Sequence, residues 1–155
     1  MLCSGAMFKL QISRGINLVQ MSSSDYLFEV VVGVVKCQKR GFLLIRRSEN
    51  ESLSGKWEFG GGAKEDDETL RDAVKREMKE ETGLNVDIVE RGDPYFDEYS
   101  KGGRLKLHPF LLEVSEEEKV SLSHEHDRYK WLDLEELDKF DTMGDLIALN
   151  RLGFL

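Results

Sequence analysis

Between Tyr26 and Val35 the chain is almost continuously apolar (Phe28, Val30, Val31, Val32, Val34, Val35), the pattern of a strand buried on both faces. A Gln38-Lys39-Arg40-Gly41 turn follows, and Phe42 to Arg47 completes a hairpin. Ser48 to Lys56 is polar and loop-like. Trp57-Glu58-Phe59 is short and extended and runs into Gly60-Gly61-Gly62. From about Asp66 to Thr82 the apolar positions recur at helical spacing. Asp66 or Asp67 supplies an N-cap, and Gly83 the left-handed residue that ends the helix. Asn85 to Val89, Tyr95 to Tyr99 and Leu105 to Val114 then read as strands, parted by Gly92-Asp93-Pro94 and by Lys101-Gly102-Gly103-Arg104. Tyr129 to Leu132 reads as a short strand, Leu134 to Leu137 as a helical turn, and Met143 to Leu152 as a closing helix. This order predicts a mixed sheet in an α/β or α+β architecture. No repeat or linker interrupts it, so residues 25–155 are expected to form a single domain. Residues 1–24 read as an N-terminal extension, either poorly ordered or adding an edge strand from Phe8 to Ile12.

The helix carries the chemistry. Leu70, Ala73, Val74 and Met78 mark its buried stripe at about 100° per residue. Glu77, Glu80 and Glu81 stand at i, i+3 and i+4 and fall in the same sector, while Arg71, Asp72, Lys75 and Lys79 fall on the opposite side. The inward face thus changes from apolar to carboxylate in the last two turns. Clustered ionised carboxylates repel one another and raise their own pKa values unless a positive charge intervenes. With Lys75 and Lys79 pointing away, a hard divalent cation, Mg²⁺ or Mn²⁺, is the expected neutraliser. A glycine-rich turn ahead of the helix lets backbone carbonyls approach a metal and backbone amides approach a phosphate.

These residues resemble a known family. Gly62, then Glu68, then Arg76-Glu77-Met78-Lys79-Glu80-Glu81-Thr82-Gly83-Leu84 is similar, at all seven fixed positions, to the 23-residue signature of the Nudix hydrolases. Met78 and Leu84 fill its aliphatic positions. A chance match is on the order of one in 10⁸ windows or rarer. The likeness extends to the Gly55-Lys56-Trp57 approach and to Glu125 to Trp131, so it spans roughly Tyr26 to Leu155. One departure is Gly60, where the family usually has proline. The resemblance implies a three-layer α/β/α sandwich with a mixed sheet. It implies metal ligation by Glu77, Glu80 and Glu81 with the Gly61 carbonyl nearby. Glu68 and Arg76 would form a structural ion pair, with Gly62 and Gly83 as structural glycines. A loop acid before the last strand often completes such sites, and Glu125 matches it best; Asp127 and Glu118 are its rivals. Glu77, Glu80 and Glu125 are the expected catalytic carboxylates.

Elsewhere the signals are weaker. Arg46 and Arg47 end a strand on opposite faces, so one of them can reach a phosphate. His124 and His126 bracket Glu125 without the spacing of a helical zinc motif, and they are read as flanking it only. Trp57 and the aromatics Tyr95, Phe96 and Tyr99 are read first as core and second as base-stacking platforms. Cys37 is read as a small buried hydrophobe.

Composition bounds the function. The chain has 155 residues, 40% hydrophobic and 34% charged, which is one ordinary globular domain. Two cysteines exclude a disulfide scaffold and a four-cysteine zinc site. No apolar run approaches the ~18 residues of a membrane span. Lys9 and Arg14 interrupt the start, so no signal peptide is expected, and the expected location is cytoplasmic. The net charge of −8 argues against nucleic acid or an anionic membrane as partner. It does not argue against an anionic small molecule arriving with a cation. The expectation is a metal-dependent pyrophosphohydrolase of a nucleoside diphosphate linked to another moiety, with nucleoside triphosphates favoured. The alternatives are a dinucleoside polyphosphate or ADP-ribose hydrolase, or a catalytically silent nucleotide-sensing module. The resemblance also implies a homodimer as a possible assembly, since members of the family are often dimers.

Overall fold

The computed structural model describes residues 25–99, 101–142 and 146–155. Its frame is an eight-stranded mixed sheet. The strands are β1 (Phe28–Cys37), β2 (Gly41–Arg47), β3 (Trp57–Glu58), β4 (Gly61–Ala63), β5 (Asp87–Arg91), β6 (Tyr95–Glu98), β7 (Arg104–Glu113) and β8 (His126–Leu132). The order is β3-β2-β1-β7-β5, with β4 also on β1, β6 on β7 and β8 on β2. β1 and β7 run parallel in register from Phe28↔Leu105 to Lys36↔Glu113, and the other ladders are antiparallel. A parallel pair at the centre must be buried on both faces, which is why β1 reads as an unbroken valine run.

Alternation along β1 splits the core in two. Val31 and Val35 join Leu43, Ile45, Phe110 and Leu112 against α1 (Leu70–Thr82), through Ala73, Val74 and Met78. Val30, Val32 and Val34 join Phe42, Leu44, Leu105 and Leu107 on the opposite face. That face is covered by a 3-10 helix (Leu134–Lys139) and by α2 (Leu146–Arg151), which supply Leu137, Ala148 and Leu149. The result is the expected helix–sheet–helix sandwich.

The helix starts four residues later than its sequence suggests. Thr69, not Asp66 or Asp67, is the N-cap: its hydroxyl accepts from the Asp72 amide at 3.1 Å. Residues 65–68 instead form a turn in which the Glu65 amide donates to Glu68 Oε1 at 2.8 Å. The helix ends as expected at Gly83, whose φ of 72° is left-handed. β8 begins at His126, three residues before its sequence signal. Cys37 is buried as expected, and its sulfur accepts from Arg40 Nε at 3.1 Å. Tyr95 and Tyr99 are core, while Phe96 is exposed on its strand. The readings made for residues 1–24, including the Phe8 to Ile12 strand, lie outside the described residues.

Candidate active site

α1 presents its carboxylates unequally. Glu77 and Glu81 are 4% and 1% exposed, but the Glu80 side chain is 55% exposed. The angles explain the difference. The buried positions Ala73, Val74, Glu77, Met78, Glu81 and Thr82 centre on one direction, and Glu80 lies about 110° from it at 100° per residue. Glu80 therefore occupies the rim rather than the inward face first read for it.

Glycines make room for the two buried acids. A Cβ on Gly62 would stand 2.5 Å from the Glu77 carboxyl carbon. The Gly61 amide donates to Glu81 Oε1 at 3.0 Å, and a Cβ there would overlap the Val31 carbonyl oxygen. Gly60 has φ +104°, which a proline ring fixed near −65° cannot adopt. Its carbonyl accepts from the Gly33 amide at 3.1 Å, so the glycine that replaces the usual proline is tied to β1 rather than loose.

Arg76 is the hub of the outer rim. It grips Glu68 through Nη2 at 2.6 Å and Nε at 3.0 Å, as expected of a structural pair. Nη2 also donates to the Ala63 carbonyl at 3.1 Å. Nη1 reaches Glu77 at 3.0 Å and Glu80 at 3.3 Å. These bonds hold the guanidinium pKa well above its ordinary value, with Glu68 the largest cause. The Glu68 carboxyl is held below its ordinary value by the same bond. Arg76, expected only as the partner of Glu68, thus also supplies positive charge to Glu77 and Glu80 from α1 itself.

A second group lies inward of Glu81. Arg47 is fully buried, with Nη1 3.8 Å from Glu58 Oε1, Nη2 3.6 Å from Glu51, and Nε donating to the Ser52 carbonyl. Burial lowers its pKa against the pull of Glu58 and the other acids around it. His126 Nε2 lies 2.7 Å from Glu58 Oε1 and 3.7 Å from Glu81 Oε2. Among the described residues, Glu58, Glu81 and His126 are the buried group whose potential ligand atoms all lie within 4.8 Å of one another. His126 is therefore part of the site's buried wall and does not merely flank Glu125.

A β-bulge produces this. β2 and β8 pair regularly from Phe42↔Leu132 to Arg46↔Arg128, and then Arg47 pairs with His126, so Asp127 is skipped. Regular pairing would set Asp127 opposite Arg47; the extra residue brings His126 there instead and turns Asp127 outward. Asp127 is clamped by Arg46 at 2.8 and 2.9 Å on the surface. Arg47 has no exposed surface, so it does not offer the phosphate contact read from the sequence; Arg46 is part-exposed and paired with Asp127. Glu125 is half-buried; its carbonyl accepts from the Ser48 amide at 2.9 Å, and its charge is near enough to act on Arg47. Glu118 lies apart, with its carbonyl on Arg40 and its carboxylate on Asn85.

Glu58, Arg47 and His126 were not found as a group from the sequence. They come from three strands, of which β8 lies far along the chain from β2 and β3, and the bulge that brings His126 inward leaves no periodic signal.

The oxygen-rich donor set suits a divalent cation. The profile described as NUDIX domain matches residues 27–149. The chain is 32% identical over 110 residues to a CTP pyrophosphohydrolase of Escherichia coli, covering 71% of this chain and 78% of that one. It is 27% identical over 125 residues to a nucleoside triphosphatase, NudI, of Klebsiella pneumoniae, covering 74% and 89%. Among solved structures it is similar to a MutT protein from Methanosarcina mazei, with a TM-score of 0.69 and 28% identity, covering 86% and 96%. With the sandwich, the glycine cradle and the Glu68–Arg76 brace all in place, the chain belongs to the Nudix family and is a hydrolase of phosphoanhydride bonds.

Proposed function

We propose that the protein is a Mg²⁺- or Mn²⁺-dependent nucleoside triphosphate pyrophosphohydrolase. The observation that carries the reading is the carboxylate wall of α1: Glu77 and Glu81 aimed inward over glycines, with Glu80 open on the rim. The names of the CTP pyrophosphohydrolase and nucleoside triphosphatase relatives support triphosphates as the substrate class. The residues fit a hard cation. All the donors are oxygens, and the Gly62 cradle fixes Glu77 without strain. Glu77, Glu80 and Glu81, with the Gly61 carbonyl, would hold the ions. When bound, such ions offset the phosphate charge and make an attacking water more acidic.

The chain's own residues do the rest. Arg76 holds Glu77 and Glu80 in register with each other and ties them to the turn through Glu68. The attacking water's proton passes to a carboxylate oxygen, on Glu80 at the rim or on Glu125 before β8. Comparing the two Gln variants separates them: the base is the one whose loss removes the acidic limb of the pH–rate profile.

The test is a panel of nucleoside triphosphates, dinucleoside polyphosphates, nucleotide sugars and ADP-ribose with Mg²⁺, with phosphate scored after added phosphatase. Preferred turnover of a triphosphate to monophosphate and pyrophosphate supports the reading. Preference for a dinucleotide or a sugar nucleotide overturns the substrate class, and hydrolysis unchanged in excess chelator overturns the metal.

A further inference from the structure

We propose that His126 is the positioning residue for Glu81, and that the chain Arg47–Glu58–His126–Glu81 sets the ion affinity of the site. The inference rests on Glu81 being an ion ligand, as proposed above.

His126 Nε2 faces two carboxylate oxygens, Glu58 Oε1 at 2.7 Å and Glu81 Oε2 at 3.7 Å. Ionised carboxylates only accept hydrogen bonds, so Nε2 carries its hydrogen and donates. The 2.7 Å separation is that of a hydrogen bond. Two ligands of one cation, at about 2.0–2.2 Å from it, would stand roughly 3.3 Å apart in a tetrahedron. Arg47 beside Glu58 already supplies a positive charge to this pocket. Geometry and charge both place a proton, not a metal ion, between Glu58 and His126.

The Gly61 amide fixes Glu81 Oε1 at 3.0 Å, and the edge of the His126 ring faces Oε2 at 3.7 Å, an electrostatic contact too long for a hydrogen bond. Glu58 fixes the imidazole, and Arg47 offsets the charge of Glu58. A carboxylate so oriented meets an arriving ion without reorganising, and loss of such an outer partner typically costs about 10- to 100-fold in metal affinity or activity. The bulge at Asp127 is what turns His126 into this role.

The test compares His126→Gln, His126→Asn and His126→Ala. The glutamine amide nitrogen reaches about where Nε2 stands, and the asparagine nitrogen stops near Nδ1. Mn²⁺ binding is titrated by electron paramagnetic resonance without substrate, and the Mg²⁺ activation constant and substrate KM are measured alongside thermal melting. The expected result is a loss of about 10- to 100-fold in Mn²⁺ affinity for Asn and Ala. Gln should stay within about 5-fold of the parent, and KM at saturating Mg²⁺ should be unchanged. If Ala does not fold, the Gln–Asn difference carries the test. Equal Mn²⁺ affinity in Gln and Asn, whatever their melting temperatures, overturns the proposal, and so does a loss confined to stability. Glu80→Gln is run in parallel. If it leaves Mn²⁺ binding intact, the carboxylate reading itself fails. If it weakens binding while the three His126 variants do not, only the present inference fails.

Discussion

At Gly62 a missing side chain decides where a carboxylate sits. The Glu77 carboxyl occupies the space around a Cβ at this position, 2.5 Å away, and as the far end of a flexible side chain it is the group that would yield. Gly62→Ala should therefore displace Glu77 while the fold survives. Because misplacement by about 1 Å can cost 10²-fold, kcat should fall by about 10²-fold with a melting curve still cooperative. Unchanged kcat would mean that Glu77 is not held where the chemistry needs it. Glu68 has a different task. Its side chain is 15% exposed and doubly bonded to Arg76, with its pKa held down by that bond. Glu68→Gln should cost roughly 1.5–3 kcal/mol in urea unfolding, the range for a hydrogen bond to a charged group. Glu80→Gln, at the exposed rim, should change stability by less than about 0.5 kcal/mol. Equal stability losses in the two variants would refute this division of labour.

At the scale of elements, α1 was legible because its information is local. Seventeen-odd residues of periodicity, a capping glycine and a contiguous motif suffice to predict a helix with acids on its inward face. Its start was misread because Asp66 and Asp67 look like caps, whereas the turn that Glu68 closes with the Glu65 amide delays the helix to Thr69. Glu80 was read as inward because it was grouped with Glu77 and Glu81 by spacing alone; its angle from the centre of the buried positions puts it at the rim. The Arg47–Glu58–His126 wall was illegible because it depends on register: one skipped residue in β8 exchanges Asp127 for His126, and no pattern in the chain marks it. The sheet also carries a titration. On β7, buried His108 takes a hydrogen bond from Arg91 on Nδ1 at 2.9 Å and gives one to Glu29 from Nε2 at 3.1 Å, since arginine only donates. Burial first, and then Arg91, push its pKa below the ordinary value. The unfolded chain takes up a proton near pH 6.5 that the folded chain refuses. Stability is thus full above that pH and declines as pH falls toward the lowered folded value. Urea midpoints should drop between pH 8 and pH 5.5, and less steeply in His108→Gln. Parallel profiles for the two proteins would show that His108 does not carry the effect.

For the molecule as a whole, the sandwich brings a braced acidic rim and a buried polar wall together at the last turn of α1. The sheet architecture was readable from strand order and from the doubly buried valine strand. Its net charge of −8 is no obstacle to a polyanionic substrate once a cation sits among the carboxylates. Among the described residues no helix is long and apolar enough to cross a membrane. The central claim is that the α1 carboxylates serve chemistry rather than folding. The most direct measurement is pyrophosphate release from a nucleoside triphosphate with saturating Mg²⁺, parent against Glu80→Gln, with melting curves for both. The account predicts a fall in kcat on the order of 10³-fold or more, as a lost general base together with weakened ion binding would give, with superimposable melting curves. A Glu80→Gln protein that melts normally and turns over at the parental rate would contradict it.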